Sequence, residues 1–398
     1  MKSFVFHKWQ CTSRDPDVMR KSLDVLEGLK KENAFKIKED RIIYKFCIEG
    51  KWYFAKKNIP KRLKEIIKEI FRPQSKLEYN AGLLLDSLGV SVVNMIGWAR
   101  NKTISIIISE SPGENVSTAV DFWNKKAVSD KNAKNRFLAA LAEFIMTFFG
   151  ANLVHPDLHF GNLLVIEEDS NFKLMVVDPF GIKEFWGMTY DVFKGGFALL
   201  LYGLQWHLNR NEKISFLLDS HLIKKESEFD VFWGKIIKFV VNHQIKEWPG
   251  GRRRKFLTRS TRGTQKINEQ NGNVLFIRKN IDGKPLFSRD ELNTASLIKE
   301  ETKKARQMWL FSLYLQTFGI DHVRAMVWEK NTKGQDVLFC ENEKDFLPYR
   351  ESECLKDFLK ICELAGLKIK NPSQDILFRD GIPCLKNCNP DYWEKKGF

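Results

Sequence analysis

The stretch His155-Pro156-Asp157-Leu158-His159-Phe160-Gly161-Asn162-Leu163-Leu164-Val165 constrains this chain more than any other. It reads H-x-D-x-x-x-x-N, and Asp178 follows after about a β-hairpin's length. Taken singly, the residues are ordinary: Asp before Leu-His suits a turn, and Asn before an apolar run suits a cap. The flanks argue otherwise. Ala139 to Phe149 is an apolar, helix-forming run closed by Gly150. Leu163 to Ile166 and Lys173 to Val177 read as two strands around Glu167-Glu168-Asp169-Ser170-Asn171. Helix, loop, hairpin and aspartate in this order predict the catalytic loop and metal-binding aspartate of a kinase-like phosphotransferase.

The residue types suit that chemistry. A hydroxyl nucleophile needs a nearby carboxylate to take its proton, which fits Asp157 as the catalytic base. Magnesium ions bridging the phosphates of ATP take hard oxygen ligands, which Asn162 and Asp178 can supply. ATP and Mg2+ are therefore the expected cofactors.

Upstream, Arg41 to Ile48 and Trp52 to Lys57 alternate around Glu49-Gly50-Lys51, a hairpin pattern. Lys56 stands at the end of its second arm, where an N-terminal lobe carries the lysine that holds the α and β phosphates. A helix from Gln74 to Leu88 carries Glu78, an acid placed to pair with that lysine, and Gly89 ends it. Strands follow at Val92 to Ala99 and Ile104 to Ser109. Ser109-Glu110-Ser111-Pro112-Gly113 is the expected hinge, with backbone groups around Glu110 meeting adenine. No G-x-G-x-x-G precedes the hairpin's second arm. Glu39-Asp40-Arg41 occupies that place, so the phosphate-covering loop has no sequence signature.

Between Lys56 and Glu78 lies Pro60-Lys61-Arg62-Leu63-Lys64-Glu65-Ile66-Ile67-Lys68-Glu69-Ile70-Phe71-Arg72-Pro73. Leu63, Ile66, Ile67, Ile70 and Phe71 recur at helical spacing, with Lys61, Arg62, Lys64, Lys68 and Arg72 mainly on the other side. The segment predicts a basic amphipathic helix, its apolar face packed on the lobe and its basic rim able to meet lipid. The whole chain carries a formal net charge of +15, more than ATP binding requires, which points to a polyanionic partner.

In these residues the chain resembles the lipopolysaccharide core heptose and Kdo kinases. The resemblance lies in Tyr53-Phe54-Ala55-Lys56, in Leu63-Lys64-Glu65-Ile66-Ile67-Lys68, and in His155-Pro156-Asp157 with Val176-Val177-Asp178, over roughly residues 30 to 245. Leu158-His159-Phe160-Gly161-Asn162 is nearer to the Kdo kinases and small-molecule phosphotransferases, and Pro179-Phe180-Gly181 departs from the heptose enzymes. The resemblance implies a protein-kinase-like fold and ATP-dependent phosphorylation of an inner-core sugar. It also implies a glycolipid partner and a cytoplasmic place, peripheral on the inner face of the inner membrane. Nucleic acid is not an expected partner.

Seven scattered cysteines without C-x-x-C predict a reducing compartment and no zinc site. No apolar run has bilayer-spanning length. At 398 residues, with 43% hydrophobic and 29% charged residues, the chain can build more than one globular core.

The expected class is α+β, a protein-kinase-like two-lobed fold followed by a degenerate partial second kinase-like copy. The predicted divisions are an extension over 1–30, an N-lobe over 31–110, a C-lobe over 111–245 and an accessory domain over 252–398. Helices at Val192 to Leu208 and Val231 to Val241 would close the C-lobe, and Arg252-Arg253-Arg254-Lys255 would mark the boundary. Gly272 to Ile281 echoes Gly50 to Ile59, followed by a helix with Glu300 and Glu301 and strands at Val323 to Glu329 and Gln335 to Cys340. Lys368, Lys370 and Asp375 stand where His, Asp and Asn would be, and Asn387 near the metal aspartate, so this copy lacks a base. The alternatives are a protein or small-molecule kinase, or a regulatory scaffold whose second half binds a partner.

Overall fold

The computed structural model describes residues 1–37, 40–113, 116–168, 171–184, 197–205, 207–248, 256–257, 261, 264–269, 272–279, 284–288, 290–293, 295–302, 304–332, 335–342, 346–369, 371–380 and 382–386. The chain is mixed α/β with several sheets and divides into two compact units. The first comprises Met1–His207 and Asn211–Phe229, the second Leu208–Arg210 and Asp230–Phe398. The helix Phe229–Glu247 lies almost wholly in the second. Glu39, Arg252–Arg253–Arg254–Lys255, Lys370, Asn387 and the start of the Val192 to Leu208 helix fall outside the described residues.

The first unit is built on a seven-stranded antiparallel sheet in the order β1-β2-β6-β7-β5-β4-β3. Its strands are β1 (Lys2–Phe6), β2 (Trp9–Ser13), β3 (Lys36–Ile37), β4 (Arg41–Ile48), β5 (Lys51–Asn58), β6 (Met95–Asn101) and β7 (Ile104–Glu110). Glu49 and Gly50 both take positive φ, 51° and 79°, which matches the hairpin turn to the twist of β4 and β5. Tyr44, Phe46, Tyr53 and Ala55 point to one face and are buried against Met19, Leu23 and Leu26 of helix α1 (Pro16–Gly28). Asp15 caps α1 by accepting from the amides of Asp17 and Val18, and Pro16 opens it. The first residues of the chain, read from the sequence as an extension, thus supply two strands and a helix to this sheet. Their polar, short-strand pattern is too brief to separate from a tail.

On the sheet's other side lie helices α2 (Leu63–Phe71) and α3 (Gln74–Ser87). A short helix α4 (Ala119–Phe122) follows β8 (Val116–Thr118), and α5 (Lys131–Gly150) extends well before the predicted start at Ala139. Asp130 caps α5, and Phe137, Leu141, Ile145 and Phe148 are its buried stripe. Then come β9 (Leu153–Val154), the hairpin β10 (Leu163–Glu168) and β11 (Asn171–Val176), and β12 (Lys183–Glu184). β10 pairs with β11 and β8, and β9 pairs with β12.

Helix α2 lies opposite to its predicted orientation. Leu63 and Phe71 are 71% and 79% exposed, Ile67 and Ile70 are also exposed, and Glu69 is 7% exposed. A polar network explains the inversion. Glu69 accepts from the Ser105 hydroxyl and from the Gln74 amide, and Ser105 Oγ accepts in turn from the Ser75 hydroxyl at 2.8 Å. Asn58 Nδ2 donates to Ser75 Oγ at 2.9 Å. Buried donors need an acceptor, and Glu69 meets that need at the expense of apolar burial.

The second unit holds a five-stranded sheet in the order β13-β14-β16-β17-β15, with a separate hairpin β18-β19. The strands are β13 (Thr264–Asn268), β14 (Val274–Arg278), β15 (Ile298–Glu301), β16 (Ala325–Lys330), β17 (Val337–Cys340), β18 (Ile376–Arg379) and β19 (Ile382–Leu385). Glu300 and Glu301, expected on a helix, stand on β15 at the sheet's edge, and the helix follows at Ala305–Thr317. An edge strand tolerates charged residues that an interior strand would not, and this hides it from a search for apolar alternation.

Candidate active site

The geometry starts from the β5 register. Lys56 pairs with Ile43 on β4 and Ile107 on β7, which fixes its side chain on the face opposite α1. There its ammonium donates to Glu78 Oε1 from α3 and lies 3.6 Å from Asp178 Oδ1. It also donates to the Val177 carbonyl at 3.3 Å. Lys56 is 13% exposed and Glu78 1% exposed. Burial opposes the lysine's charge, but the carboxylates of Glu78 and Asp178 outweigh it and raise its pKa, so Lys56 stays a cation. Burial also pushes Glu78 up, against the pull of Lys56. The direct hydrogen bond makes an ion pair the better description of the two.

His155 ties the loop to the β11 end. Its Nδ1 accepts from the Asp157 amide at 3.1 Å, which leaves Nε2–H to donate to the Asp178 carbonyl at 2.9 Å. Burial lowers its pKa, so the ring is neutral at physiological pH, as this bonding pattern requires. One buried side chain therefore sets the backbone positions of both Asp157 and Asp178. The Asp157 carboxylate itself is open to solvent, 68% exposed, with His159 Nε2 at 3.7 Å. His159 Nδ1 accepts from the Gly161 amide at 2.9 Å, so its proton sits on Nε2, facing Asp157. Asn162 Nδ2 donates to the Asp157 carbonyl at 2.8 Å, which leaves its amide oxygen as the group available to a cation.

The structure thus gathers Lys56, Glu78 and Asp178 by direct contact, and links Asp157 and Asn162 to them through His155. Glu110 stands at the end of β7, past Ile107, where its carboxylate accepts from Asn94 Nδ2 at 2.8 Å and lies 3.8 Å from Lys51. The arrangement offers two hard oxygen donors, Asn162 and Asp178, beside the largely covered ammonium of Lys56, a set suited to a metal-bound polyphosphate.

Arg41 is the member that sequence reasoning passed over. It opens β4, its side chain is 15% exposed, and its guanidinium lies 3.7 Å from Asp178 Oδ2 while Nε donates to Asn58 Oδ1 at 3.1 Å. The available signal was its place in Glu39-Asp40-Arg41, where glycines were sought.

No family model matches this chain, and no curated protein matches it. Among solved structures it is similar to WaaP in complex with acyl carrier protein, at 18% identity and a TM-score of 0.43, over 55% of this chain and 90% of that one.

Proposed function

We propose that the first unit is an ATP-dependent kinase that phosphorylates an alcohol group, and that its acceptor is a heptose or Kdo sugar of the lipopolysaccharide inner core. The convergence of Lys56, Glu78 and Asp178, tied through His155 to an open Asp157, carries the phosphotransfer reading. The acceptor rests on the residues shared with core sugar kinases and on the +15 net charge. In this reading Asp157 takes the proton from the acceptor hydroxyl, with His159 Nε2–H orienting its carboxylate. Lys56, fixed by Glu78, holds the α and β phosphates, and the segment at Glu110 meets the base. Asn162 and Asp178 would hold Mg2+, which supplies charge neutralisation at the transferred phosphate. Mass spectrometry of lipopolysaccharide from a deletion strain tests the acceptor: loss of one core phosphate supports it, and an unchanged core favours a protein or small-molecule acceptor.

Arg41 takes the part left open by the missing glycine-rich loop. Its planar fork suits phosphate oxygens, and a charged hydrogen bond of this kind is worth roughly 1.5–3 kcal/mol. Arg41→Ala is expected to weaken ATP binding by about tenfold or more and leave adenosine binding unchanged. Equal loss for both ligands would show that Arg41 shapes the fold rather than binding phosphate.

The reading also places the protein peripherally on an anionic membrane face. Among the described residues no helix is long and apolar enough to cross a membrane. The exposed Leu63, Ile67, Ile70 and Phe71 of α2 lie among the exposed Lys61, Arg62, Lys64, Lys68 and Arg72, a face suited to insertion among acidic headgroups. Each basic residue near such a surface contributes about 1 kcal/mol. Changing Lys61, Arg62 and Lys64 to Glu should abolish sedimentation with phosphatidylserine vesicles at low salt, and wild-type binding should weaken as salt rises. Vesicle binding that survives the triple reversal assigns α2 to another role.

A further inference from the structure

Residue-by-residue registers align the two units in a way the sequence echo at Gly272 to Ile281 does not. The order β13-β14-β16-β17-β15 matches β1-β2-β6-β7-β5, with a helix before β16 as α3 precedes β6. The irregularity between Met95 and Gly97 recurs between Ala325 and Val327, and Trp98 opposite Ile107 recurs as Trp328 opposite Leu338. The helix ends coincide: Val90 donates to the Leu85 carbonyl at 2.9 Å, and Ile320 to that of Leu315 at 3.0 Å. Gly89 and Gly319 take positive φ in the turns between.

The likeness continues past the sheet. Val93 donates to Val176 O and Val176 to Ser91 O, while Val323 donates to Leu385 O and Leu385 to Asp321 O. Leu163 opposite Val176 corresponds to Ile376 opposite Leu385. Val177 donates to the Asn162 carbonyl at 3.1 Å, and Lys386 to that of Asp375 at 2.8 Å. The same strand order, the same sheet irregularity and the same hairpin bonds in the same sequence order argue for one scaffold used twice.

We infer that the second unit is an internal copy of the first unit's nucleotide-binding scaffold that has lost its nucleotide site. The inference rests on the kinase reading of the first unit. Through Leu338 and Trp328, Glu300 occupies the place of Lys56. Two helical turns before Leu315, Met308 occupies the place of Glu78. A carboxylate in place of the phosphate-holding ammonium repels a polyphosphate, and methionine removes the acid that would position a cation. Asp375 takes the place of Asn162.

The hinge has changed as well. Glu341, the counterpart of Glu110, receives Arg379 from β18 at 2.6 Å, and Arg379 also reaches Asp321 at 3.5 Å. Arg324 contacts Asp321 at 3.3 Å. In the first unit the partners of Glu110 are Asn94 and Lys51, both on the sheet side. The copy therefore ties its hinge carboxylate to its hairpin by charge, a contact that Glu110 does not make among the described residues. On this reading it is not a second enzyme.

Binding of a fluorescent ATP analogue with Mg2+ to the full chain tests this. One equivalent is expected for the wild type and for Glu300→Ala/Met308→Ala, with affinity changed less than about twofold. Lys56→Met, and independently Asp178→Asn in a variant with native circular dichroism, should lose the bound equivalent or weaken it at least about tenfold. A second equivalent in the wild type that survives in both site variants overturns the inference while sparing the kinase reading, whereas a single equivalent undiminished in both site variants overturns both, because it moves the nucleotide out of the first unit's site. No binding by the folded wild type overturns the kinase reading itself, and the inference with it.

Discussion

Asp157→Asn is expected to lower turnover by roughly 10²–10⁴, because it removes the general base and keeps the shape. The change should leave the fold intact. The contact that His155 makes here is with the Asp157 backbone amide, not with its carboxylate, and the carboxylate is open to solvent. ATP affinity should also change little, since Asn162 and Asp178 are the proposed metal ligands. A wild-type rate in purified Asp157→Asn protein on the true acceptor removes this residue from the chemistry. A loss of ATP binding would instead make Asp157 part of the metal site.

Lys56→Met should have two separable effects. It removes a cation from the phosphates, and loss of one preorganised electrostatic contact at a transferring group costs about 10²–10³ in turnover. It also leaves Glu78 buried without its partner, and breaking a buried pair by removing one member costs about 3–5 kcal/mol of stability. The added change Glu78→Gln separates them. The double variant should recover much of the thermal stability, because no buried carboxylate is left uncompensated, and recover none of the turnover. Recovery of turnover in the double variant would mean that Lys56 serves the fold and not the phosphates.

Local structure was legible where chemistry and periodicity coincided. The hairpin of β4 and β5 and the run from α5 through β11 follow from alternation, turn residues and an apolar stripe, so Lys56, Glu78 and Asp178 could be named before their contacts were known. Arg41 could not, because its role depends on two strands and Asp178 meeting in space, and nothing local distinguishes it from an edge arginine. Helix α2 inverted for a related reason. A hydrophobic pattern gives the direction of the apolar face, but the buried hydroxyls of Ser75 and Ser105 that recruit Glu69 come from elsewhere in the chain. In the second unit the echo of Gly50 to Ile59 led to β14, while on the inferred alignment the place of β5 falls to the charged edge strand β15. Strand order, fixed by long-range pairing, is information that short sequence windows do not hold.

The most direct test is phosphoryl transfer from γ-labelled ATP to purified, dephosphorylated lipopolysaccharide core, with the product read by mass spectrometry. The wild-type protein should add a single phosphate to an inner-core sugar, dependent on Mg2+ and abolished by EDTA. Asp157→Asn, folded and still binding ATP, should add almost none over the same interval. Equal transfer by both proteins, or label found on protein with none on core sugar, would contradict the account.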